Sequence, residues 1–307
     1  MRSEARFALP PAGGGTVCTV GTFDGVHRGH RLVLERLGAA ARERGLPSVL
    51  VTFEPHPLLV VNPAAAPPLL TVGPERLEAL AETAVDYVVV LPFTPRLAAY
   101  GAEEFVDVVL RGRLGLQHLL VGYDHGFGRG RSGDATVLQA LGTDRGFGVE
   151  LVPPVEGADG RPISSTGIRR AIAGGDLGRA ADGLGRAYGA AGRVVPGAGR
   201  GRTLGFRTLN VSLAGPHKLL PPEGVYAVRV QTPRGPFGGM MNLGPRPTFD
   251  EAETVLEAHL FDVDADFYGM AVRIDFVGRL RETRRFADVE ALRRQLSVDE
   301  REARKLL

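Results

Sequence analysis

The stretch GTFDGVHRGH, Gly21 to His30, decides how this chain is read. It lies between a β-branched run, Val17 to Thr22, and a helical pattern from about Arg28 to Arg44. Backbone N–H groups at the start of a helix lack intrahelical acceptors, and the helix dipole favours an anion there. Gly21, Gly25 and Gly29 let the backbone approach a ligand closely, while His27 and His30 share one face of the entering helix and can donate to phosphate oxygens. A glycine turn carrying two surface histidines is the plainer alternative. Working outward, further strand patterns recur at Ser48 to Phe53, Asp86 to Leu91, His118 to Val121 and Val149 to Val152, with helical patterns at Pro74 to Ala84, Ala102 to Leu114 and Gly133 to Leu141 between them. Strands that alternate with helices predict a doubly wound parallel sheet, in which ligands bind at the carboxyl ends of the strands.

Beyond two short helical patterns, Thr166 to Ala173 and Leu177 to Leu184, the rhythm changes near residue 183. Strand patterns now follow one another without helices: Gly192 to Pro196, Leu209 to Leu213, Val225 to Gln231, Gly238 to Asn242, Val255 to Phe261 and Met270 to Phe276. That pattern predicts an antiparallel sheet or small barrel, closed by a helical tail from about Ala287 to Leu306. The expected domains are 1–182, α/β, and 183–307, β-rich.

Composition excludes several classes. The 307 residues are 44% hydrophobic and 23% charged with a net charge of +2, which is ordinary for a folded protein and wrong for a disordered or collagenous one. Lys218 and Lys305 are the only lysines among 37 basic residues, so nearly all positive charge is arginine, interleaved with 35 acids rather than blocked. No nucleic-acid footprint results. Cys18 is the sole cysteine, which rules out an intramolecular disulfide and a cysteine-based zinc site and fits a reducing cytoplasm. The first residues carry no apolar core of signal-peptide length, and no run approaches the ~20 apolar residues that a membrane span needs. The expectation is a cytoplasmic protein without membrane or nucleic-acid partners, a monomer or weak oligomer.

Further blocks follow the first: TFEPHP at Thr52 to Pro57, VGYDHGFGRGRSGD at Val121 to Asp134 and ISSTGIRRAI at Ile163 to Ile172. Together they resemble the HxGH nucleotidylyltransferases, specifically the adenylyltransferase half of the bifunctional bacterial riboflavin kinase/FAD synthetases. The resemblance implies that His27 and His30 hold ATP phosphates, that Ser164, Ser165 and Thr166 meet the nucleotide phosphates, and that Arg169 meets the developing pyrophosphate charge. It further implies that Phe23 and Asp24 position the nucleotide, with Gly21 and Gly29 at the phosphates, and that His56 and Asp124 lie on the flavin side. Thr166 is also a candidate helix N-cap, and Asp134 can simply cap the next helix. Two departures stand out: Asp124-His125-Gly126-Phe127 replaces the family's D-F-R-F, and Gly167 replaces the arginine of S-S-T-R-I-R.

From Leu184 onward the chain resembles the riboflavin kinase module, a small barrel. The blocks are LGRAYGAAGRVVPGAGRGRTLGF at Leu184 to Phe206, GVYAVRV at Gly224 to Val230, NLGPRPTF at Asn242 to Phe249 and LEAHLFDVDADFYG at Leu256 to Gly269. Here the resemblance implies that a glycine-rich loop with Gly199 and Gly201 wraps the nucleotide phosphates. Glu257 is implied as general base, and Thr208 and Asn210 as the residues that hold magnesium and phosphate. The family's P-T-A-N reads Arg207-Thr208-Leu209-Asn210, which puts a long cation next to the metal position. The implied reactions are phosphorylation of riboflavin to FMN and adenylylation of FMN to FAD, both using ATP and Mg²⁺. Two alternatives stay open: an adenylyltransferase whose barrel only binds flavin, and a non-catalytic flavin-responsive or RNA-binding regulator on the same fold.

Overall fold

The computed structural model describes residues 6–11, 13–123, 126–197, 206–245 and 254–307. Clustering of contacts divides the chain into two units, one of Met1–Pro68 with Arg76–Ser165 and one of Leu69–Glu75 with Thr166–Leu307.

In the first unit, five parallel strands lie in the order β3-β2-β1-β4-β5: β1 Thr16–Val20, β2 Ser48–Glu54, β3 Tyr87–Pro92, β4 Leu116–Gly122 and β5 Gly148–Val152. The central strand β1 is buried along its whole length, as a strand covered on both faces must be. Alternate residues feed two cores. Val17, Leu50 and Leu120 pack with Leu34 and Leu37 of helix α1, Arg28–Arg44, and with Leu80 of α3, Pro74–Ala81. Cys18, Val49, Val51 and Leu119 face the other way, toward Phe105, Val106 and Leu110. Those three belong to a π-helical stretch, Phe105–Arg111, between short α5, Ala102–Glu104, and α6, Gly112–Leu114. Burial pushes the Cys18 thiol up to about 12, so it stays protonated and unreactive. Further α-helices are α2, Pro57–Val61, α4, Pro95–Ala98, and α7, Ala135–Arg145. Asp134 caps α7 through the Val137 N–H at 3.0 Å, the plainer of the roles open to it.

The second unit is a closed barrel in the order β10-β7-β6-β11-β8-β9. Its strands are β6 Gly189–Val195, β7 Thr208–Leu213, β8 Gly224–Thr232, β9 Gly235–Pro245, β10 Thr254–Leu260 and β11 Ala271–Arg281. Tyr226, Val228, Leu243, Leu256, Ala258 and Ile274 fill the interior. Helices α8, Ser165–Ala173, and α9, Leu177–Leu184, precede the barrel. Helix α10, Val289–Leu306, docks on it through Asp299, which accepts a two-pronged pair from Arg281 and a bond from Gln295. Helix α8 begins at Ser165, so Thr166 sits in its first turn rather than at the N-cap.

The short segment Leu69–Glu75 belongs to the barrel unit through a buried ion pair. The Lys218 ammonium donates to Glu75 Oε2 and to the Leu70 carbonyl, each at 2.7 Å, and lies over the Tyr188 ring. Glu75 also accepts from the Val72 and Ala191 backbone N–H groups. One of the two lysines is thus the counter-ion of a carboxylate that accepts from two backbone amides.

Candidate functional sites

The first site stands where β1 ends and α1 begins. Gly21 donates its N–H to the Val51 carbonyl, continuing the ladder, and the chain then turns through left-handed backbone at Phe23 (φ 49°), Gly25 (φ 86°) and Val26 (φ 42°). For a β-branched valine that conformation is a genuine outlier, held here by full burial of Val26. Asp24 is buried, and its carbonyl accepts from the Ser165 hydroxyl at 3.0 Å.

His27 is the N-cap of α1. Its Nδ1 accepts from the His30 N–H at 3.2 Å, and the Nδ1 of His30 accepts from the His27 N–H at 3.4 Å, a reciprocal capping box built of imidazoles. The rings stack with centroids 3.6 Å apart, and Phe23 packs 4.8 Å from His30. A nitrogen that accepts from a backbone N–H carries no proton, so the ring proton of each histidine is on Nε2. At Gly29 a Cβ would stand 3.2 Å from the His27 ring, close enough that the ring would have to give by a few tenths of an ångström.

His56, the N-cap of α2, accepts at Nδ1 from the Leu58 N–H and is likewise buried. Arg76 escaped sequence reasoning. Its buried guanidinium donates to the carbonyls of Thr22 and Phe53 and pairs with Glu54, tying together the carboxyl ends of β1 and β2. Nothing local marks that arginine, because its partners lie more than twenty residues away in sequence. Asp124, with His125 of the departing D-F-R-F block, lies outside the described residues. Ser164 precedes α8, while Thr166 and Arg169 lie on it.

The second site is the outer face of β7, β10 and β9. Register pairs His259 with Thr208 and Glu257 with Asn210, so all four side chains share a face, as the period of two predicts. The Thr208 hydroxyl donates to Glu257 Oε1 at 2.6 Å. His259 donates from Nδ1 to the Arg207 carbonyl at 2.8 Å and packs edge-on against Phe206. Gly197 lies so close to Asn210 that a Cβ would fall 1.8 Å from its Nδ2. Gly199 and Gly201 lie outside the described residues, as do residues 246–250 of the NLGPRPTF block.

Both departures from P-T-A-N have a structural account. The Arg207 guanidinium pairs with the exposed Asp264 carboxylate at 2.8 Å, so the cation beside the metal position has a partner of its own. Leu209 points into the barrel, 8% exposed, opposite the small Ala258, so its extra bulk is a core exchange off the Glu257 face. Among the described residues no cluster of three or more His, Cys, Asp or Glu side chains can hold a metal unaided. The Thr208 hydroxyl keeps its lone pairs while donating to Glu257, and with the Asn210 amide oxygen it fits a hard cation that brings its own phosphate and water ligands.

A parallel α/β unit with a strand-to-helix turn whose helix start suits an anion, and a barrel carrying a carboxylate beside hydroxyl and amide oxygens, fit an enzyme of phosphate chemistry. The comparisons specify it. Residues 10–167 match the FAD synthetase family and residues 184–307 the riboflavin kinase family. Bifunctional riboflavin kinase/FMN adenylyltransferases are 41% identical in Escherichia coli (strain K12), over 94% of this chain and 92% of that protein, and 42% identical in Pseudomonas fluorescens, over 97% and 95%. A crystallised chain from Streptococcus pneumoniae, described as a macrolide-efflux protein, superposes with a TM-score of 0.85 at 32% identity, covering 96% of this chain and 95% of that one. Among the described residues no helix is long and apolar enough to cross a membrane. The chain belongs to the bifunctional riboflavin kinase/FMN adenylyltransferase family.

Proposed function

We propose that the two sites carry out successive steps of FAD synthesis, with the residues above in the following roles. In the barrel, Glu257 accepts the proton of the riboflavin 5′-hydroxyl as that oxygen attacks the γ-phosphorus of ATP, and ADP leaves. Thr208 and Asn210 hold Mg²⁺, which neutralises charge on the transferring phosphoryl group when bound. Gly199 and Gly201 contribute backbone N–H groups to the nucleotide phosphates. In the α/β unit the FMN phosphate is already a nucleophile, so it attacks the α-phosphorus in line and pyrophosphate departs without a covalent enzyme intermediate. The protein then supplies position and charge. His27 and His30 donate from Nε2 to the ATP phosphates, Ser164, Ser165 and Thr166 meet the nucleotide phosphates, and Arg169 meets the developing pyrophosphate charge. Gly21, Gly29, Phe23 and Asp24 shape the nucleotide end, and His56 and Asp124 the flavin side.

The observation that carries the kinase assignment is the Thr208 to Glu257 bond at 2.6 Å, which joins the base to a metal-holding residue on one face. The functional modules are assigned to 1–182 and 183–307, and the working form to a cytoplasmic monomer or weak oligomer without nucleic acid or membrane partners. The test is incubation with riboflavin, ATP and Mg²⁺, followed by separation of the flavins. Glu257→Gln abolishes FMN formation and spares FAD formation from supplied FMN, while His30→Ala does the reverse. Normal phosphorylation by Glu257→Gln refutes the base.

A further inference from the structure

The block that begins at Asn242 has no part in the roles above, yet the register puts its first residue beside the base. On β10, Glu257 faces Asn210 of β7 on one side and Asn242 of β9 on the other. Residues directly opposite in an antiparallel pair have Cβ atoms about 5 Å apart and point to one face. The three side chains therefore form a row, amide, carboxylate, amide, with the carboxylate in the middle.

The two ends of the row differ. On the β7 side Thr208 occupies Glu257 Oε1, and Gly197 at the head of the glycine-rich loop closes over Asn210. That end is crowded and carries the oxygens suited to cation and phosphate. On the β9 side Asn242 is exposed, and among the described residues its amide makes no hydrogen bond. Two residues on, Gly244 leaves room: even a Cβ built there would stand 3.8 Å from the Asn242 amide nitrogen. Asparagine is depleted in strands, where its amide gains little from packing. An amide nevertheless offers two donors and an acceptor, the complement of a hydroxyl group. In-line transfer also needs the attacking alcohol to approach from the side opposite the leaving nucleotide; with cation and phosphate assigned to the β7 end, the exposed Asn242 end is left for the alcohol.

We propose that Asn242 is a substrate-binding residue of the kinase site. Its side-chain amide holds a hydroxyl of the polyol chain of the alcohol substrate, next to the one that reacts, and so delivers the reacting hydroxyl to Glu257 on the side away from Thr208. The assignment rests on the kinase reading of Glu257 and adds the acceptor side of the same site. No bond is made or broken at Asn242, and the proton still passes from the 5′-hydroxyl to Glu257.

The test is steady-state phosphorylation by the full chain with riboflavin and ATP varied independently, in Asn242→Ala and Asn242→Asp. FAD formation from supplied FMN in the same preparation serves as the control for folding. Asn242→Ala raises the KM for riboflavin about tenfold, the scale of one well-placed hydrogen bond, and moves the KM for ATP less than about twofold. A riboflavin analogue lacking the side-chain hydroxyl next to the terminal one is disfavoured by the wild type, and Asn242→Ala loses most of that preference. Asn242→Asp keeps an acceptor in place and loses both donors, so it also raises the KM for riboflavin while the KM for ATP moves less than about twofold, a split that a purely structural role would not cause. An unchanged KM for riboflavin, or a rise confined to ATP, overturns the proposal. Full activity in Glu257→Gln instead overturns the kinase reading beneath it. An inactive Glu257→Gln beside a wild-type-like Asn242→Ala removes the Asn242 assignment alone.

Discussion

The capping box made by His27 and His30 allows fold and chemistry to be separated by substitution. Each histidine uses Nδ1 for the helix start and has its ring proton on Nε2, the atom assigned to the phosphates. Asparagine is among the best N-cap residues, and glutamine at the third helical position completes an ordinary capping box. The double variant His27→Asn, His30→Gln therefore keeps both bonds to the backbone and loses both imidazole donors. His27→Ala loses the cap as well, at a cost of about 1 kcal/mol. For a domain of this size that is a fall in melting temperature of roughly 2–4 °C.

The effect on chemistry is larger. A single preorganised donor to charge that develops in the transition state is worth about 3 kcal/mol, on the order of a hundredfold in rate. The double variant loses at least that factor in FAD formation from supplied FMN while melting within about 1 °C of the wild type, far less than a lost cap would shift it. Melting followed by circular dichroism and flavin separation on the same samples supply both readings, with riboflavin phosphorylation as the internal control. If His27→Asn melts as low as His27→Ala, the cap does not account for the stability difference. If the double variant makes FAD within tenfold of the wild-type rate, the imidazoles are not the phosphate donors.

Three further outcomes follow from particular contacts. Gly197→Ala drives a Cβ into Asn210 and lowers riboflavin phosphorylation at least about tenfold, measured as FMN formed, with FAD formation from FMN retained. Lys218→Met leaves the Glu75 carboxylate buried with only backbone donors and costs about 3–5 kcal/mol by urea unfolding, of which adding Glu75→Gln recovers part; an unchanged midpoint would show the pair to be dispensable. Burial, reinforced by Arg44 and opposed by Glu150, holds His118 below its usual 6.5, so the unfolded chain takes up the proton first. The stability this neutral ring contributes is complete above that value and lost as pH falls through it toward the folded value, so His118→Leu flattens the fall in melting temperature below about pH 6.5.

Local pattern carried the elements whose signals are local. The helix Arg28–Arg44 and the helix Leu177–Leu184 end where the sequence placed them, since each closes on a glycine in left-handed backbone, Gly45 and Gly185. Strand β9 runs from Gly235 to Pro245, well beyond the Gly238 to Asn242 read from pattern, because its glycines and prolines look like turn residues until a closed barrel supplies partners on both edges. The candidate site divides in the same way. Glu257 with His259, and Thr208 with Asn210, lie two apart in sequence and so share a face within each strand, but nothing in either run says that the two strands are neighbours. The register that adds Asn242 to the row comes only from the fold. Arg76 and the Glu75–Lys218 pair were invisible for the same reason, the latter joining residues 143 apart in sequence.

The altered P-T-A-N motif shows how much of a site motif belongs to the site. Alternation along β7 sends Thr208 and Asn210 outward and Leu209 inward, so the residue at Leu209 answers to the barrel core, and Ala258 opposite gives it room. The residue at 207 bears on the site through its backbone, which must present Thr208 to Glu257. A proline would fix that backbone by its ring. Here the His259 bond to the Arg207 carbonyl fixes it from the neighbouring strand, and Asp264 draws the guanidinium aside. What the chemistry needs is the outward pair and a backbone held in place, and a cation with a partner of its own meets that need as well as a proline does. Barrel variants in which Arg207→Pro replaces the pair should accordingly phosphorylate riboflavin at nearly the wild-type rate, whereas Asp264→Ala, which releases the guanidinium beside Thr208, should slow it.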